Sequence, residues 1–87
     1  MMSSKRRKLA PIIYEPIDNL YGDRRLDSLV LIELDHEAAV QTRAAALMHI
    51  HRCDMDLTTS VKDNEVWIMK DKDYPGKPEV IDLRMAM

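Results

Sequence analysis

The chain has 87 residues, of which 46% are apolar, and a formal net charge of −2 at pH 7. This length accommodates one domain, and the apolar content excludes a wholly disordered chain. A single cysteine and only two glycines exclude an internal disulfide and a glycine-rich dinucleotide-binding loop.

Positive charge is concentrated near the N-terminus, where four consecutive basic residues occur: Lys5, Arg6, Arg7 and Lys8. The other nine basic and all fifteen acidic side chains lie in residues 9–87, which therefore carry −6. Residues 1–10 are predicted to form a flexible basic arm, and residues 11–87 a single domain.

The segment after the arm contains two prolines, Pro11 and Pro16, on either side of residues 12–15. Because proline disfavours regular helix and suits sheet edges, this segment is predicted to be extended. Turns are predicted over residues 17–25, which contain Asp18-Asn19 and Gly22-Asp23.

Residues 26–34 predict a central strand, since apolar side chains occupy both of its faces. Asp35 is the predicted N-cap of a helix from His36 to about Cys53. Helical spacing predicts that one stripe of this helix faces the sheet, formed by Val40, Ala44, Leu47 and Ile50.

Two β-prone runs, residues 57–62 and 65–70, are joined by Asp63-Asn64 and predict a hairpin whose two central residues have positive φ. Residues 79–83 predict a short edge strand. The order of elements indicates a small two-layer α+β domain, with one helix packed on a three- to four-stranded, mainly antiparallel sheet.

One helix covers one face of a sheet, so the other face is predicted to carry Leu29, Leu31, Trp67 and Met69. Its candidate covers are the Ile12–Tyr21 segment, a second copy of the chain or a foreign protein. We predict partial cover by Ile12–Tyr21, with Trp67 at the rim. Trp67 is therefore either core or an interface anchor, and the sequence leaves both open. Arg43 and Arg52, on the outward side of the predicted helix, are further candidate partner contacts.

Ligand chemistry is confined to residues 49–53, which contain His49, His51 and Cys53. His49 and Cys53 share a helix face, whereas His51 points about 200° away. The run lacks a four-ligand zinc pattern, so no metal or other cofactor is predicted. A Cys53 nucleophile would lie at the negative end of the helix dipole, which disfavours a thiolate, so no enzymatic activity is predicted.

These features predict a small cytoplasmic interaction protein, a regulator or inhibitor that occludes a larger protein or nucleoprotein assembly. No secretory signal or membrane span is expected, because the sequence contains no long apolar run. A homodimer is compatible with the two-sided apolar sheet. The alternative is a nucleic-acid-associated protein that uses Lys5–Lys8 on phosphates, although the acidic domain would oppose it.

Overall fold

The computed structural model describes residues 9–86 and the side chains of residues 12–84. The elements are α1 (Leu9–Gly22), β1 (Ser28–Ile32), α2 (His36–Arg52), β2 (Thr58–Lys62), β3 (Glu65–Met69), β4 (Pro78–Asp82) and a C-terminal 3-10 helix (Leu83–Ala86). The predicted α+β class is confirmed. The predicted arm falls largely on residues 1–8, outside the described residues, and its last two residues, Leu9 and Ala10, belong to α1.

The four strands form one mixed sheet in the order β2-β3-β1-β4. Strand β1 pairs antiparallel with β3 and parallel with β4, and β2 and β3 form an antiparallel hairpin. Strand β1 is thus central, as predicted, although one of its two pairings is parallel. Strands β1 and β2 run in the same direction, so α2 makes the crossover that parallel strands require.

Helix α1 covers residues 11–16, predicted to be extended, and residues 17–22, predicted to form turns, and both predictions are wrong there. Pro11 lies in the first turn, where a backbone N–H has no acceptor within the helix, so the ring costs no hydrogen bond there. Pro16 lies inside the helix. Burial of Ile13, Ile17 and Leu20, all fully buried at helical spacing, offsets the bond lost at Pro16.

Helix α2 begins as predicted, because the side chain of Asp35 accepts a hydrogen bond from Ala38 N at 2.8 Å. Its inward face differs from the predicted stripe. The buried residues of α2 are Ala39, Thr42, Ala46, His49 and Ile50.

The predicted stripe is therefore wrong at every position except Ile50. Val40 is 45% exposed, Ala44 is exposed and Leu47 is half-buried. The helix is rotated because it packs against α1 as well as the sheet, so the α1 side of α2 is buried too. Because only one helix was predicted, the burial of one side of α2 against α1 was not expected.

Both helices pack on the same face of the sheet, with α2 across β2 and β3 and α1 across β1 and against α2. The predicted cover of the second face by the Ile12–Tyr21 segment is therefore wrong. One continuous core lies between the two layers. Its buried residues are Ile13, Ile17, Leu20, Leu29, Leu31, Ala39, Ala46, Ile50, Leu57, Val66, Ile68 and Leu83.

The hairpin turn is tied to the end of β1 around Glu33. This residue is fully buried, and its carboxylate accepts a hydrogen bond from Thr42 Oγ1. Its backbone N–H donates to Asn64 O at 2.8 Å, and Asn64 Nδ2 donates to Glu33 O at 2.8 Å. Positive φ was predicted for both central residues of the turn, and the structure has it at Asp63, at 56°, but not at Asn64.

Candidate protein-binding surface

The strand register decides which side chains face away from the helices. Leu29 lies opposite Ile68 and Leu31 opposite Val66, and all four are fully buried in the core. Trp67 lies opposite Val30. Because directly opposed residues share a face and successive residues alternate, Trp67 and Val30 lie on the face that the helices do not cover.

The predicted grouping of Leu29 and Leu31 with Trp67 and Met69 is therefore wrong. Leu29 and Leu31 belong to the core under the helices, whereas Trp67 and Met69 lie on the uncovered face. The alternation within each strand was predicted correctly. The pairing between strands was not, and a shift by one residue exchanges the two faces.

We call the uncovered surface the open face, and its centre is a row that crosses all four strands. This row consists of Ser60, Trp67, Val30 and Val80. Val30 is only 3% exposed, Trp67 is half-buried, and Val80 is 56% exposed. The remaining residues of the open face are Ser28, Ile32, Thr58, Lys62, Glu65, Met69, Pro78 and Asp82.

The indole of Trp67 is oriented along its own strand. Its Nε1 donates a hydrogen bond to Oε1 of Glu65 at 3.1 Å, two residues earlier on the same face. The polar atom of the side chain is thus satisfied within the chain. A partner that contacts the exposed part of the ring meets apolar surface that is already held in place, which lowers the entropy cost of binding.

Charged residues lie at one end of the open face. Lys62 is paired with Glu65 beside the hairpin turn, and Asp82 lies across from Ile32 on β4. Asp82 Oδ2 lies 2.8 Å from Nη2 of Arg84. The hydrogen bond from Arg84 holds the pKa of the Asp82 carboxyl below its ordinary value, so this carboxylate stays charged.

A loop, residues 71–77, closes the other end of the open face. Ser28 is fully buried, and its Oγ donates a hydrogen bond to Pro75 O at 2.6 Å. Gly76 has a φ of +61° and lies against the side chain of Asp27. The apolar centre of the open face therefore has a fixed boundary at the Ser28 end.

We expect Gly76→Ala to destabilise the protein by about 1–3 kcal/mol, because a side chain is strained at this positive φ. A Cβ at this position would also lie 2.7 Å from the Cβ and Cγ atoms of Asp27. Urea denaturation measures the loss. Gly22→Ala is the matched control, since nothing lies within 4 Å of a Cβ there. Equal effects of the two substitutions would contradict this description of the loop.

A second cluster lies where α1 meets α2, around His49, which is 6% exposed. Its ring stacks on Tyr14 with centroids 4.0 Å apart and planes 11° apart. Its Nε2 lies 2.9 Å from Asp18 Oδ1. Cys53 Sγ lies 3.8 Å from Nδ1 and 4.0 Å from Nε2 of the same ring.

The nearly equal distances place the Cys53 sulfur away from the lone-pair direction of either nitrogen, so His49 is not aligned to remove the thiol proton in this arrangement. His51 is exposed on another side of α2. Among the described residues, no three histidine, cysteine or acidic side chains are placed to hold a metal ion. The contacts of His49 with Tyr14 and Asp18 join α2 to α1.

The two predicted arginine contacts do not belong to the open face. Arg43 is half-buried and Arg52 is exposed, and both lie on α2, on the other side of the sheet from Trp67. Sequence reasoning missed Val30 and Val80, which complete the central row. Placing these two valines in one row requires the register of β1 with β3 and β4, and the sequence of a single strand does not give that register.

Comparisons with protein-family models, curated proteins and solved structures find no match to this chain. Within the described part of the chain, no helix combines the length and apolar character needed to cross a bilayer.

Proposed function

We propose that this chain is a small, non-enzymatic interaction protein that binds another protein through the open face. The observation that supports this most is the central row, in which Trp67 and Val80 lie on either side of the buried Val30. Tryptophan is enriched among residues that dominate binding energy. An apolar surface between a charged end and a loop-closed end has the form of an interface core with a polar rim.

The charges of the open face favour a protein over a nucleic acid as its occupant. Among its described strand residues, Lys62 is the only basic one and Glu65 and Asp82 are acidic, and the side chain of Arg84 pairs with Asp82 at the end of the face. A nucleic acid needs several cations along its phosphates. The face offers two, each beside a carboxylate.

The partner we propose presents apolar side chains at its centre and basic residues around them. Residues 9–87 carry −6, so long-range attraction favours a basic partner surface. A small domain that docks one face onto a larger assembly acts by covering part of the assembly's surface. Regulation or inhibition by occlusion is therefore the activity we propose.

Affinity capture from the native host tests this proposal when it is done with matched variants. Val80→Asp places a charge in the centre of the open face, and we expect it to abolish capture of the partner. Met48→Asp is the control, because Met48 is 60% exposed on α2, in the other layer. Both variants should keep the wild-type circular dichroism, since both side chains are exposed.

Only a protein that Met48→Asp retains and Val80→Asp loses supports the proposal. A protein that binds wild type, Met48→Asp and Val80→Asp equally would show that the open face is not the docking surface. Loss in both charge variants, with both folded, would place the interface across the helix layer as well, and would also contradict it.

Nucleic-acid association through the basic run at residues 5–8 is the second candidate, and the four consecutive cations support it. Replacing Lys5, Arg6, Arg7 and Lys8 together by glutamine should then weaken binding to mixed DNA and RNA. The plot of log affinity against log salt should become shallower, its negative slope shrinking by about three units. Fluorescence anisotropy at several salt concentrations measures both quantities. An unchanged slope would remove residues 5–8 from this function.

A further inference from the structure

Strand β2 forms one edge of the sheet, and no strand lies beyond it among residues 9–86. Lys62 pairs with Glu65 across the two-residue turn, so Lys62, Ser60 and Thr58 direct their backbone groups toward β3. The backbone N–H and C=O groups of Thr59 and Val61 alternate with these and point away from the sheet. This edge can accept another strand.

The opposite edge of the sheet, β4, is less suited to strand pairing. Pro78 has no N–H to donate, and Glu79 and Asp82 add negative charge. Strand β2 reads Thr-Thr-Ser-Val-Lys, contains neither proline nor an acidic residue, and has its one charge, Lys62, at the end of the strand. The two edges therefore differ, and β2 is the one that remains competent to pair.

Two apolar side chains of α2 that lie outside the core, the exposed Val40 and the half-buried Leu47, are on the same side as the β2 edge. His49 marks the side of α2 that contacts α1. Val40 and Leu47 lie about 180° and 160° around the helix from His49. Since α1 packs over β1 and α2 over β2 and β3, these two residues lie on the flank nearest the free edge of β2.

We infer that two copies of this chain associate through their β2 edges, with a two-fold axis at Ser60, to form one continuous sheet. Antiparallel pairing about Ser60 sets Thr59 opposite Val61 of the partner subunit, and such a pair exchanges two backbone hydrogen bonds. The α2 helices then meet along Val40 and Leu47, which explains an apolar stripe that the monomer leaves outside its core. The seam shares Thr58, Ser60 and Lys62 with the β2 margin of the open face, and the inference does not rest on the proposed function.

One pair of charges next to this edge, Lys62 and Asp56, is complementary between copies. In the same register Lys62 lies opposite Thr58 of the partner subunit, and Asp56 of the partner subunit is its diagonal neighbour on the same face, within reach of a long side chain. The two-fold axis forms this contact twice. Within one chain, Asp56 lies two residues before β2 and Lys62 lies at the far end of that strand, about 13 Å beyond Thr58, so the ion pair forms only between copies.

Sedimentation equilibrium of the full-length chain tests the inference, and we expect twice the monomer mass of 10.1 kDa. Lys62→Glu and Asp56→Lys should each weaken dimerisation about tenfold, because each sets like charges against one another. An equimolar mixture of the two variants should restore wild-type affinity, since every contact in the mixed dimer joins opposite charges.

Val40 and Val80 are both exposed valines, so Val40→Lys and Val80→Lys form a matched pair of variants. Val40→Lys should weaken the dimer, and Val80→Lys, on the open face, should not. A monomer at all concentrations would overturn the inference. Wild-type dimerisation by Lys62→Glu and Asp56→Lys would also overturn it. A dimer that only Val80→Lys disrupts would place self-association on the open face and would overturn it too.

Discussion

Ile17→Ala should destabilise the protein by about 2–5 kcal/mol, the range measured when a buried isoleucine is reduced to alanine. Ile17 is fully buried in the core that α1 shares with the sheet. Since a small domain has only about 5–15 kcal/mol of stability, this loss is a large fraction of the total. Urea denaturation followed by circular dichroism measures it.

Tyr21→Ala is the control for Ile17→Ala, because Tyr21 lies on the same helix and is 46% exposed. We expect it to change the free energy of unfolding by less than about 1 kcal/mol. If Ile17→Ala cost no more than Tyr21→Ala, α1 would not be part of the core. The two-helix layer would then be contradicted.

Trp67→Ala should weaken binding of the partner by about 2 kcal/mol or more, which is the loss typical of a tryptophan at the centre of an interface. The fold should survive, because Trp67 is half-buried on the open face and lies outside the core cluster. Isothermal titration calorimetry measures the affinity, and thermal melting measures the fold.

The aromatic control for binding is again Tyr21→Ala, since α1 lies in the other layer from the open face. It should bind the partner with wild-type affinity. Complete unfolding of Trp67→Ala would show that Trp67 is a core residue. A folded Trp67→Ala protein that binds as tightly as the wild type would exclude the open face as the docking surface.

The elements predicted correctly are those specified by local patterns. Asp35 caps α2, the two-residue link Asp63-Asn64 closes the hairpin, and alternation marks β1 and β3. In each case the determining residues lie within a few positions of one another. Helix α1 was missed because Pro11 and Pro16 outweighed the helical spacing of three buried apolar residues, although a first-turn proline is compatible with a helix.

The candidate site was predicted only in part, because it depends on contacts between distant segments. Trp67 and Met69 lie on the uncovered face as predicted. Leu29 and Leu31 do not, since the register of β1 with β3 was not determined by either strand alone. The rotation of α2 likewise depends on α1, which packs against it from another part of the chain.

The fluorescence of Trp67 tests the central claim most directly, because it is the only tryptophan in the chain. The unmodified protein is titrated with the partner that the Val80→Asp and Met48→Asp comparison identifies, and acrylamide quenching of its emission is followed. A tryptophan-free variant of the partner is used, so that all of the emission comes from Trp67. Docking on the open face predicts that quenching falls as the complex saturates. Saturable binding with unchanged quenching of Trp67 would contradict the claim.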